Sequence, residues 1–109
     1  MARKLLFLCL IFFAASLSFA DSLVGEDAPE IFVSEWVTNN PPQLDQLDGK
    51  VYAVEFWATW CSPCVKNIPH LNEINDRYSK DGLVLIALSS DRDSDKVKKL
   101  VKEKNIRYN

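Results

Sequence analysis

The order of apolar segments predicts an α/β fold built on parallel strands. Three observations carry this. Strand-like and helix-like patterns alternate: a β-branched and aromatic run at Val51–Trp57 that reads as a buried strand, helical spacing from Val65 to Tyr78, a second apolar run at residues 83–88, and a second helical pattern through about Lys104. The second apolar run is unbroken, as expected of a strand covered on both faces. Turn signals sit at the joints. Strand, helix, strand, helix in that order implies a parallel sheet with right-handed crossover helices.

Each segment can be taken in turn. Arg3 and Lys4 precede an uncharged apolar run at residues 5–19, which is shorter than the ~20 residues a spanning helix needs. Ser18 and Ala20 place small residues where a signal peptidase reads, so residues 1–20 are expected to be a signal peptide cleaved after Ala20. An uncleaved membrane anchor is the alternative. Cys9 lies too early in the run to be a lipoprotein cysteine and reads as a small apolar residue. Residues 21–48 form an N-terminal extension. Within it Ile31, Phe32 and Val33 could make a short strand, and Pro41-Pro42 favours an extended connection. Asp48-Gly49 is a turn signal ahead of the first strand, and Asp81-Gly82 a stop after the first helix. Val65, Ile68, Leu71, Ile74 and Tyr78 mark that helix's apolar face. Asp93, Ser94 and Asp95 offer capping groups to the second helix, whose core side carries Val97, Leu100 and Val101. Ile106-Arg107-Tyr108 looks like the start of a further strand.

The chain carries 13 basic and 15 acidic residues. Loss of Arg3 and Lys4 on export leaves 11 against 15, a net charge of −4. No basic patch is interleaved with aromatics, which argues against a nucleic-acid partner, and Lys96, Lys98, Lys99, Lys102 and Lys104 read as a solvated helix face. The mature chain would keep two cysteines, Cys61 and Cys64. A ring that small restrains little chain entropy, so a structural staple explains the pair poorly and redox chemistry explains it better. The pair falls where strand gives way to helix. There the unpaired backbone N–H groups and the helix dipole favour a thiolate. Cys61, first on the helix, is the better nucleophile. Cys64, about one turn in, is placed to close the ring. Glu55 lies within an apolar strand, where desolvation should raise its pKa towards the range useful for accepting the Cys64 proton. The competing readings are a static disulfide, half of a zinc site with His70 as the only histidine, and a solvated Glu55.

The stretch Phe56-Trp57-Ala58-Thr59-Trp60-Cys61-Ser62-Pro63-Cys64, with Pro69 five residues on, resembles the active site of the thioredoxin superfamily. Its Ala-Thr-Trp-Cys wording, the apolar N-terminus and the run at residues 44–50 resemble the TlpA/ResA-like branch of exported thiol-disulfide oxidoreductases. The likeness runs from about Ala28 onward. It implies a thioredoxin-like fold with a partial thioredoxin-like domain at residues 49–109. Cys61 would be the exposed attacking cysteine, Cys64 the buried resolving one, and the two would form a redox disulfide. Glu55 would be the buried acid, Pro69 the helix-kinking proline, and Trp60 and Pro63 would shape substrate docking. Two features depart from the family. Asn67 stands where some cytochrome-maturation reductases carry an acid. No proline follows Pro69, so the cis-proline loop, the C-terminal strands and the last helix are expected to be lacking and the chain to be truncated.

The resemblance implies an exported enzyme of the periplasm or another extracytoplasmic space. It would mainly reduce protein disulfides, use no cofactor or metal, and be recharged by a membrane-bound electron donor. Pro63 removes a backbone donor near the sulfurs and occurs at the same place in reducing thioredoxins, which favours a reductant. The alternatives are a disulfide oxidase or isomerase, a Cu(I) metallochaperone, and an inactive fragment.

Overall fold

The computed structural model describes residues 23–109. The signal segment assigned to residues 1–20 lies outside them. Residues 23–30 belong to one compact unit and residues 31–109 to another. The first shows a single turn, in which the Glu26 amide donates to the Leu23 carbonyl at 3.1 Å.

In the second unit the alternation expected from sequence is realised as β1 (Val51–Trp57), α1 (Ser62–Tyr78), β2 (Leu83–Ser89) and α2 (Ser94–Glu103). Among the described residues β1 and β2 form a two-stranded parallel sheet, in register from Val51↔Leu83 to Trp57↔Ser89. Both expected turns are built on left-handed glycines. Gly49 (φ 75°) turns the chain into β1, and Gly82 (φ 97°) closes the 3-10 turn Ser79–Asp81 that ends α1. The α2 cap also follows its sequence signal: Asp93 Oδ1 accepts from the Asp95 amide at 3.1 Å.

The core is small. Ile86 is 0% exposed and Ile68 1%, with Trp57, Ala58, Leu85, Val97 and Tyr108 around them. Leu85 and Ile86 are adjacent and so face opposite sides of the sheet. Both faces of β2 are therefore covered at its centre.

Several expectations are corrected. Strand β1 is not buried along its length: Val51, Ala53 and Phe56 are exposed, and only Trp57 is buried. Among the described residues it pairs with β2 alone. Tyr78 falls outside the apolar face of α1 and is exposed, with the Arg77 guanidinium over its ring. A polar residue of the same helix, Asn72, is buried instead, at 5% exposed. No strand forms at residues 31–33. Just beyond them Glu35 pairs with Lys98 on α2. Residues 106–108 do not form a strand. The sheet contact comes one residue later, where the Asn109 amide donates to Leu85 and its carbonyl accepts from Ala87, the parallel-bridge pattern around Ile86.

Asn72 explains how that terminal segment is held. Its Nδ2 donates to the Asn105 carbonyl at 3.0 Å and its Oδ1 accepts from the Arg107 amide at 2.9 Å. Asn75 donates to the Arg107 carbonyl, and the Arg107 guanidinium pairs with Asp76. The bland side of α1 is thus stitched to the chain beyond α2. Replacing Asn72 with Ala removes a buried donor and acceptor together and leaves two backbone groups unpaired, so Asn72→Ala should cost about 1–3 kcal/mol. Urea unfolding of the two proteins would measure it, and an unchanged midpoint would refute it.

Candidate active site

The site is assembled by the chain's exit from β1. After Trp57 the chain turns: the Cys61 amide donates to the Ala58 carbonyl at 3.0 Å. Cys61 then occupies the N-cap of α1 in extended conformation, and its carbonyl accepts the first helical bond from Val65 at 3.0 Å. Pro63 sits in the first helical turn, where its missing N–H costs nothing. No acidic residue occupies that turn, so the positive end of the helix is not neutralised there. Helix α1 runs on through Pro69 to Tyr78.

Cys61 and Cys64 are joined by a disulfide, with their Cα atoms 5.3 Å apart. Both are partly exposed, so Cys64 is less deeply placed than the resemblance implies. Trp60, immediately before Cys61, is 76% exposed, and Pro63 is exposed as well. The surface beside the sulfurs therefore presents an indole and a pyrrolidine ring. Phe56, which sequence reasoning passed over as a strand residue, is 77% exposed near the end of β1. His70 lies exposed on α1. Among the described residues there is no group of three or more His, Cys, Asp or Glu side chains able to hold a metal ion.

Glu55 is half-buried in β1, paired in register with Ala87. Burial pushes its carboxyl above the ordinary range, and a hydrogen bond from the Tyr108 hydroxyl, at 3.4 Å, offsets this only in part. Burial and the neighbouring Glu55 charge push the Tyr108 phenol well above its own ordinary value. Tyr108 carried no site signal in the sequence, because it meets Glu55 across 53 residues of chain.

A second unsignalled residue is Asp91, beyond the end of β2. Its carboxylate accepts from the Thr59 amide at 2.8 Å, the Thr59 hydroxyl at 2.6 Å and the Ser89 hydroxyl at 2.7 Å. Burial pushes this carboxyl up, but the bonds from Thr59 and Ser89 outweigh it and hold the group below the usual carboxylate range. A cavity of about 530 Å³ is lined by Asp91 and Ser89 together with Trp36, Trp57, Val97 and Tyr108 among others; neither cysteine lines it.

Residues 23–109 match the model of the Redoxin family. The chain belongs to the Redoxin family. Like other TlpA/ResA-like members of the thioredoxin superfamily, it is similar to thiol-disulfide oxidoreductases. It is 34% identical over 85 residues to the thiol-disulfide oxidoreductase ResA of Bacillus cereus, an alignment covering 78% of this chain and 49% of that one. The Redoxin chain thus spans about half the length of the curated relatives it matches. Among solved structures it is similar to a thiol:disulfide interchange protein from Bacteroides sp., at TM-score 0.53 and 31% identity, over 56% of this chain and 40% of that one. It is also similar to a Chlorobium tepidum chain assigned as the thiol:disulfide interchange protein DsbE, at TM-score 0.56 and 26% identity, over 60% and 46%.

The raised Glu55 carboxyl in this Redoxin chain has a stability consequence with a defined sign. Below its ordinary value of 4.5 both folded and unfolded states hold the proton and there is no penalty. As pH rises above that value the unfolded chain ionises first, and the native state loses stability until Glu55 itself ionises. Glu55→Gln keeps an acceptor for Tyr108 but cannot ionise. It should therefore be more stable than wild type at pH 8 and gain little at pH 4. Denaturation midpoints at the two values test this, and an equal gain at both would contradict it.

Proposed function

We propose that this chain is an exported thiol-disulfide oxidoreductase that mainly reduces protein disulfides through Cys61 and Cys64. The observation that carries the reading is the Cys61–Cys64 bond at the unneutralised N-terminus of α1. In the reduced pair the Cys61 thiolate attacks one sulfur of a substrate disulfide. That S–S bond breaks, the displaced thiolate takes a proton, and a mixed disulfide remains on Cys61. Cys64 passes its proton to the Glu55 carboxylate and attacks Cys61 Sγ. The second substrate sulfur leaves as a thiolate and is protonated. Two electrons and two protons have then moved to the substrate, and the Cys61–Cys64 disulfide remains. A carboxyl raised by burial suits the acceptor role, because its proton affinity lies nearer that of a thiol.

Trp60 and Pro63 dock the substrate, offering apolar contact beside the sulfurs. Pro63 favours a reductant. A reductant in an oxidising compartment needs recharging, and a membrane-bound dithiol donor fits that need. The apolar segment at residues 5–19 supports export with cleavage after Ala20, leaving residues 21–48 as an extension and residues 49–109 as the thioredoxin-like part.

Three measurements test the reading. With a protein disulfide such as insulin, Cys64→Ser should accumulate a covalent mixed disulfide and Cys61→Ser should form none; no adduct with either variant would sink it. Equilibration of the pair with glutathione should place its potential below about −150 mV, and a higher value would make the protein an oxidant. Trp60→Ala should raise KM for the protein substrate several-fold while sparing the rate with a small aromatic disulfide. Equal effects on both substrates would remove Trp60 from docking.

A further inference from the structure

We propose that Asp91 is a positioning residue for the cysteine pair: its carboxylate clamps Thr59 and thereby fixes the turn from which Cys61 is presented. The proposal rests on the redox reading above. Its ground is a chain of bonds that sequence spacing does not suggest. Asp91 takes both donors of Thr59, the amide at 2.8 Å and the hydroxyl at 2.6 Å, across 32 residues. Beside it the Ser90 amide and hydroxyl both donate to the Trp57 carbonyl, at 3.0 and 3.3 Å. The turn closed by the Cys61 amide on the Ala58 carbonyl brackets Thr59 and Trp60. The position of Cys61 is therefore referred to the end of β2 through Thr59 and Asp91.

The carboxylate is itself pre-set. The Ser89 hydroxyl donates to one oxygen at 2.7 Å and accepts from the Asp91 amide at 3.1 Å, so the loop after β2 holds the clamp in place. An Asp placed only to end a strand would be satisfied locally, by Ser89 alone. Asp91 instead directs its remaining acceptor capacity at the residue two before the attacking sulfur. Its partners are Thr59 and Ser89 rather than the sulfurs, so it acts through position.

The consequence falls on ring closure. The stability of the Cys61–Cys64 bond against external thiols depends on how closely Cys61 is held where Cys64 can reach it, an effective concentration. A looser turn lowers that concentration and shifts the equilibrium towards the dithiol. The experiment equilibrates the whole chain with glutathione redox buffers, as wild type and as Asp91→Asn, Thr59→Val and Thr59→Ser. Asp91→Asn is expected to shift the equilibrium towards the dithiol about tenfold, or about 30 mV. Thr59→Val, which keeps the carboxylate charge and loses the hydroxyl, should shift it less and in the same direction. Thr59→Ser, which keeps both donors, should restore the wild-type value. Asp91→Asn and Thr59→Val both within twofold of wild type would overturn the clamp, even if their melting temperatures fell. If Asp91→Asn does not fold, the Thr59→Val and Thr59→Ser pair decides alone. A wild-type pair that never exchanges with glutathione would overturn the redox reading itself, and this inference with it. A wild-type pair that exchanges beside unmoved variants would overturn the clamp only.

Discussion

Everything at the site depends on the register between β1 and β2. Parallel strands in register end together, and here Trp57 ends level with Ser89. Two loops therefore leave the sheet side by side at the same end, one leading into α1 and the other into α2. Chemistry in open α/β sheets collects at such carboxyl ends, because side chains from distant parts of the chain converge there. A slip of one residue would turn Glu55 to the opposite face of the sheet and carry Trp57 out of the core.

The legible part of the fold was the part governed by local rules. The strands, the helices, the left-handed turns at Gly49 and Gly82 and the Asp93 cap each announce themselves within a few residues. The candidate site was legible to the same extent: Cys61, Pro63 and Cys64 are neighbours, and Glu55 is placed by its apolar surroundings. What could not be read is whatever is defined by meeting. Tyr108 reaches Glu55 across 53 residues, Asp91 reaches Thr59 across 32, and Asn72 binds the Arg107 amide across 35. Neither Asp91 nor Asn72 sits in a motif that would single it out. Only the paired loops and the packed terminal segment reveal their partners.

Burial was overestimated for a related reason. An apolar run predicts that a strand can be buried, but coverage depends on what lies beside it. Strand β2 has β1 on one side and the Asn109 bridge on the other, and its centre is fully covered. Strand β1, with an equally apolar sequence, leaves Phe56 and Val51 in solvent. The half-burial of Glu55 follows from the same asymmetry. It is desolvated enough to raise its carboxyl, yet keeps enough access to exchange a proton.

Helix α1 is fastened at its two ends by different means. Its rear half is sewn to residues 105–107 through Asn72, Asn75 and Asp76, and its leading turn is closed by the bond between the sulfurs. Breaking that bond leaves the rear stitches intact, since none of them involves a sulfur. In the proposed exchange, opening and closing the ring is then a one-turn event whose entropy stays local. The rest of the domain would then serve as a stationary frame for the exchange we propose.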